Sequence, residues 1–117
     1  MNRSDLERLR DAREYVKYAI QDAGGLSAKA LAQARQPQHA TLFDLVVIGE
    51  TLNKVSAELK AAAPSLPWKA VTNLRNIIVH SYWLIDLEIV AAVIEKDLDP
   101  LLAELTKLIE FVERTGK

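Results

Sequence analysis

The 117-residue chain contains no cysteine. That excludes a disulfide framework and any thiolate metal site. It has only two histidines, His39 and His80, far apart in sequence and with no carboxylate cluster beside them, so no clear metal-ligand set is offered. No apolar run approaches the ~18 residues of a membrane-spanning helix. The opening stretch, MNRSDLERLRDAREY, is charged and lacks the apolar core of a secretory signal. Strand-type alternation, internal repeats and low-complexity tracts are missing too. These absences lead us to expect a soluble, cytoplasmic helical protein with no metal, no cofactor and no membrane partner.

Half of the residues are hydrophobic, enough at this length for a compact core. We expect one domain over residues 1–117. The net charge of −1 argues against a generally basic nucleic-acid binder, but charge is unevenly spread. Residues 1–60 carry nine Lys/Arg and eight Asp/Glu, and residues 86–117 carry four and eight. From Leu59 to Ile85 there is no acid, while Lys60, Lys69, Arg75 and His80 fall inside that interval. A local anion site on a neutral protein is compatible with this, and so is chance in a mostly apolar segment.

Periodicity and punctuation predict helices throughout. Ser4 and Glu7 form a capping-box pattern, and the helix they open runs to about Ala23, with Leu6, Leu9, Val16 and Ile20 on one stripe, before Gly24-Gly25 stops it. SAKALAQARQ is a short helix ending before Pro37. A long third helix is expected from about Gln38 to Ala62, and a fourth from Trp68 to about His80 behind Pro67. SYWLI reads as a loop. Asp86 is a plausible N-cap for a helix over Leu87–Glu95, with Asp97 or Asp99 capping a last one to about Thr115. The expected fold class is all-α: an antiparallel up-and-down bundle of about four main helices plus a short extra one.

Two stretches carry more than fold information. In the third helix, Leu45, Ile48, Leu52, Val55 and Leu59 share one face, while Leu42, Phe43, Val46 and Val47 lie largely on the other. A helix apolar on both sides is either central or at an interface; in a small bundle we expect a homodimer contact. Glu50 falls within the second surface, where it either pairs with Arg75 or reaches solvent at the rim. In LRNIIVHSYW (residues 74–83), Val71, Leu74, Ile77 and Ile78 form the apolar face at 100° per residue. Asn76 and His80, four apart, share the opposite side with Thr72 and Asn73. Arg75 stands about 140° from His80, and its long side chain can swing toward the same cleft. Tyr82 follows two residues later. On these residues alone, a C-terminal histidine favoured by the helix dipole, with Asn76 solvated, explains the pattern better than a site does.

RNIIVHSYW resembles the Arg-x4-His-x-Tyr signature of HEPN-domain ribonucleases, and within them the HepT-like toxins. LVVIGETLNKVSAEL, PSLPWKAVTNLRNIIVHSYW and IDLEIVAAVIEKDL resemble that family in order, over most of residues 42–102. The bare Arg-x4-His pattern is weakly specific; the ordered set is strongly so. Ser81 and Trp83 depart from the residues usual around the family's tyrosine. Arg13 departs further, standing where the apolar stripe of the first helix calls for an aliphatic residue, so that it either snorkels or adds charge to the cleft.

The resemblance implies a HEPN-type bundle and a metal-independent endoribonuclease acting as a homodimer, two motifs facing one RNA cleft. Arg75 and His80 would be catalytic, with Asn76 and Glu50 supporting. RNA brings its own nucleophile, the 2′-OH. A histidine suits the base or acid role near neutral pH, and arginine offers a fixed donor fork for phosphate. Asn76 would either orient His80 or bind a phosphate oxygen. The resemblance also implies a partner, an MntA-like minimal nucleotidyltransferase antitoxin that neutralises the toxin by adenylylating Tyr82. The alternative is a non-catalytic HEPN module that binds nucleotide and docks onto a nucleotidyltransferase. The RNA target and its base preference are not legible.

Overall fold

The computed structural model describes residues 4–81 and 85–115. Within them the chain forms six helices: α1 (Asp5–Ala23), α2 (Ala28–Gln33), α3 (Arg35–Asn53), α4 (Ala57–Ala62), α5 (Trp68–His80) and α6 (Leu87–Thr115). No strand occurs among the described residues, and the architecture is the all-α bundle expected of the HEPN type. None of these helices is long and apolar enough to cross a membrane.

α1 begins and ends where local chemistry predicts. The Ser4 hydroxyl accepts from the Glu7 amide at 3.1 Å, and the Glu7 carboxylate accepts from the Ser4 amide at 2.9 Å. The two bonds satisfy orphan donors of the first turn. Gly24 adopts φ 64°, the left-handed conformation that terminates a helix at little cost in glycine. The expected stripe is only partly the core face: Leu9, Val16 and Ala12 are fully buried, while Leu6 and Ile20 are half-buried.

Two helix boundaries differ from expectation. The long third helix breaks after Asn53, and α4 starts afresh behind Ser56. The Ser56 hydroxyl accepts from the Leu59 amide at 3.2 Å and donates to the Asp5 carboxylate at 2.6 Å. A cap and a tie to α1 together outweigh continued helical pairing, although Val55 and Leu59 sustain the apolar period across the break. Conversely, the two helices expected over residues 87–115 are one. Pro100 lies inside α6, and Asp97 and Asp99 cap nothing. An interior proline costs about 3 kcal/mol, but Val90, Ile94, Leu98, Leu101, Leu105 and Ile109 form one buried stripe on both sides of it. A straight run keeps that stripe on the core. At 1.5 Å per residue α6 is about 44 Å long, the full long axis of the 44 × 27 × 26 Å molecule.

α3 is the central helix. α1 packs on one side of it and α5 on another, while α6 packs against α1 and α2. The chain itself thus accounts for most of the second apolar surface of α3: Leu42, Val46 and Val47 are half-buried. Phe43 is the exception at 61% exposed. Three seams of the bundle are closed in this way. The fourth, between α5 and α6, stays open as a groove of about 710 Å³.

Candidate functional site

α5 buries no residue completely. Trp68, Val71, Leu74 and Ile78 rest half-buried against the core, and the Trp68 indole N–H donates to the Ala63 carbonyl at 2.9 Å. This seating aims Arg75 at α3. The two helices touch closely there: a Cβ placed on Gly49 would lie 2.4 Å from the Arg75 Cβ and 3.2 Å from the Val71 carbonyl oxygen. Only glycine fits that crossing, despite its cost of roughly 0.5–1 kcal/mol in a helix interior.

Beside the crossing, the Arg75 guanidinium forms an ion pair and hydrogen bond with the Glu50 carboxylate. Its second terminal nitrogen donates to the Asn76 side-chain oxygen at 2.6 Å. The Arg75 Nε is buried without a hydrogen-bond partner. Both charged side chains keep part of their surface in solvent, 25% for Arg75 and 38% for Glu50. The pairing of Glu50 with Arg75, one of the two readings left open by the sequence, is the one that forms.

Asn76 accepts from Arg75 and makes no hydrogen bond to His80. His80 is the last residue of α5 and is exposed; it is not hydrogen-bonded to Arg75, Glu50 or Asn76. His80 stands five positions after Arg75, about 7.5 Å along the helix axis. Tyr82 and Trp83 lie outside the described residues. Arg13, half-buried on α1, takes no part in the Arg75 network. Among the described residues no three of His, Asp and Glu gather closely enough to hold a metal ion.

Two features of the surroundings escaped sequence reasoning. Gly49 is one; a glycine inside an otherwise apolar helical run is the signal that marks such a close approach. The other is Asp44 on α3, only 4% exposed. Burial above all, then a hydrogen bond with Asp22 and that group's negative charge, raises its pKa from 3.8 to about 7. Nothing in the sequence distinguishes Asp44 from a surface acid. On the flank of α1 and α3, Tyr15 meets Tyr18 and Phe43 edge-on, with ring centroids 5.2 and 6.5 Å apart.

A helical bundle that presents an Arg-x4-His motif on a helix seated over a glutamate belongs, as a class, with the HEPN-type proteins. The family model described as ribonuclease HepT-like matches residues 6–108, and the chain belongs to that family. It is 22% identical over 108 residues to a protein of Thermococcus cleftensis named "probable ribonuclease HepT", covering 92% of this chain and 98% of that one. A Methanocaldococcus jannaschii protein named "putative RNase" is 25% identical over 105 residues, 90% of this chain and 87% of its own length. Another from that organism, named "gamma-glutamylcyclotransferase and putative RNase", is 27% identical over 77 residues, 66% of this chain. The match spans only 35% of that larger protein. No solved structure matches the chain.

Proposed function

We propose that this chain is a metal-independent endoribonuclease, the toxin of a HepT/MntA-type toxin–antitoxin pair, acting as a homodimer. The observation that carries the reading is the Glu50–Arg75–Asn76 network on α5, one and a half turns before His80, in a member of the ribonuclease HepT-like family. His80 takes the proton of a ribose 2′-OH. The 2′-oxygen attacks the adjacent phosphorus, the bond to the 5′-oxygen breaks, and that oxygen leaves with a proton from an imidazolium. The products are a 2′,3′-cyclic phosphate and a 5′-hydroxyl. Arg75 stabilises the charge that builds on the phosphoryl oxygens. Because Glu50 already occupies the guanidinium, substrate phosphate must share or displace that carboxylate. This makes a phosphate that reaches both Arg75 and His80 the favoured binder. A second protomer brings a second Arg75 and His80 to the cleft, and the exposed Phe43 supports such an association.

His80→Ala and Arg75→Ala should each abolish RNA cleavage while leaving the helical circular dichroism intact. Cleavage should persist in chelator, and RNA with 2′-deoxyribose at the cut site should resist. Full activity of His80→Ala would sink the mechanism. Light scattering of the parent chain at micromolar concentration should report a dimer, and Phe43→Lys should shift it to monomer.

Regulation belongs to the same proposal. An MntA-like nucleotidyltransferase transfers AMP from ATP to the Tyr82 hydroxyl: the phenol oxygen loses its proton and bonds the α-phosphorus, and pyrophosphate leaves, so that a phosphate charge two residues from His80 repels the polyanionic substrate. Intact-mass analysis with that partner and ATP should show the adduct on the parent and none on Tyr82→Phe. A second reading, a non-catalytic nucleotide-binding and docking module, draws on one observation: the charge of Arg75 is already countered by Glu50. In that case His80→Ala leaves nucleotide binding intact and there is no cleavage to lose.

A further inference from the structure

The open seam between α5 and α6 is unlike the rest of the bundle. Its floor is made by Leu45 and Ile48 of α3, and its walls by Val71, Leu74 and Ile77 on one side and Val93, Leu98 and Leu101 on the other. Leu45 and Ile48 are core residues, 5% and 1% exposed, so the groove cuts down to the core instead of lying on the surface. Its volume of about 710 Å³ is within the ~300–1,000 Å³ range of protein sites that take a ligand. One of the few large apolar side chains left exposed, Ile77 at 47%, lines the groove.

The polar part of the lining is one-signed. Asp97 and Glu104 stand on the α6 wall, and among the described residues no Lys or Arg lines the groove. The acidity continues along α6, where Asp86, Glu88, Glu95 and Asp99 are exposed and Lys96 is the single base between residues 86 and 104. RNA, a polyanion, is therefore the wrong occupant. A second copy docking through the same face is also a poor fit, because a two-fold contact would set the acidic α6 wall of one copy against that of the other.

The geometry selects a helix. The α5 wall runs from Pro67 to Ile77 and the α6 wall from Val93 to Glu104, each roughly 15–17 Å at 1.5 Å per residue. That length is about three turns of helix, and the other three seams of this bundle are filled by helix against helix. We propose that the α5/α6 groove docks an amphipathic helix of another protein, about three turns long, with apolar residues at i, i+4 and i+7 inserted and Lys or Arg along its edges. The apolar anchors supply affinity, and the basic edges meet Asp97 and Glu104 and set orientation. The inference rests on the fold and does not depend on the ribonuclease reading.

The test uses a displayed library of helical peptides about 14 residues long, randomised at the anchor and edge positions and selected on the full chain. Enriched peptides should carry apolar anchors with Lys/Arg edges. Their best member, followed by fluorescence anisotropy, should lose at least tenfold in affinity on Ala70→Glu, an exposed position lining the groove. The pair Asp97→Lys and Glu104→Lys should reverse the preference toward a Glu-edged version of the same peptide, with circular dichroism unchanged. Three results would overturn the proposal: no enrichment, peptides without basic edges, or binders indifferent to Ala70→Glu. A change of oligomeric mass on Ala70→Glu overturns it as well, by assigning the groove to a second copy.

Discussion

α6 and α5 meet the same core on unequal terms. α6 buries nine residues along its 29. α5, which carries Arg75, Asn76 and His80, buries none in 13, and neither of its ends has a side-chain cap. One helix is held by a continuous apolar stripe, the other by four half-buried side chains, the Gly49 crossing and the ion pair to Glu50. The helix that would do the chemistry is therefore attached almost wholly through α3. Local stability follows buried apolar contact, so α5 should open at lower free energy than α6 or α1. The comparison also explains the groove: a helix anchored on one flank only leaves its other flank unfilled.

The largest expected effect lies on the α6 side. Leu105 is fully buried, and Leu105→Ala should cost roughly 2–5 kcal/mol of global stability in urea unfolding. Ile77→Ala on α5, half-exposed, should cost no more than about 1 kcal/mol. Equal costs would erase the contrast between the two helices.

Next comes the crossing itself. Gly49→Ala must push α5 away, because the added Cβ meets the Arg75 Cβ at 2.4 Å. Overpacking costs about 1–3 kcal/mol, offset in part by the roughly 0.5–1 kcal/mol that alanine gains over glycine in a helix. Hydrogen exchange should accelerate throughout α5 and little in α6. RNA cleavage should fall more than stability does.

A smaller effect separates the α1/α3 seam from both. The Asp44 carboxyl is raised from 3.8 to about 7, so between these values the folded chain keeps a proton that the unfolded chain has released. Stability therefore falls as pH climbs from about 4 to about 7, and the penalty is complete above that. Asp44→Asn should raise the Tm by a few degrees at pH 8, with the gap closing toward pH 4. A pH-independent gap would mean that Asp44 does not titrate in this window.

The smallest stability effect should be at the network. Arg75 and Glu50 remain partly in water, where such pairs contribute about 1 kcal/mol or less. Arg75→Ala should therefore unfold at nearly the parental urea concentration. A loss of several kcal/mol would instead mark Arg75 as a structural clamp of α5.

Much of this was legible beforehand, for identifiable reasons. The capping box of Ser4 and Glu7 and the stop at Gly24 are local signals, confined to one turn of helix. The pairing of Glu50 with Arg75 was one of two readings the sequence left open, because a carboxylate on an apolar helix surface is satisfied either by a cation or by solvent, and only the packing of α5 on α3 brings the cation there. The contact of Asn76 with Arg75 was not legible, because helical angles place Asn76 beside His80 and give no sign that the guanidinium of its immediate neighbour bends back to it. Gly49 was passed over because a missing side chain shows its purpose only when the opposing helix is in place.

The sequence by itself determined that the chain is helical, where α1 begins and ends, and which helix bears the Arg75–His80 motif. All three rest on contacts within a few residues, whose energies do not depend on what packs nearby. Only the tertiary structure decided that α3 is central, that Ser56 ends it early, that α6 runs through Pro100, and that the α5/α6 seam stays open. In each case a local preference of about 1–3 kcal/mol competed with contacts to residues distant in sequence. Ser56 bonds to Asp5, and the buried stripe of α6 stays continuous across Pro100. Such contacts exist only once the chain has folded.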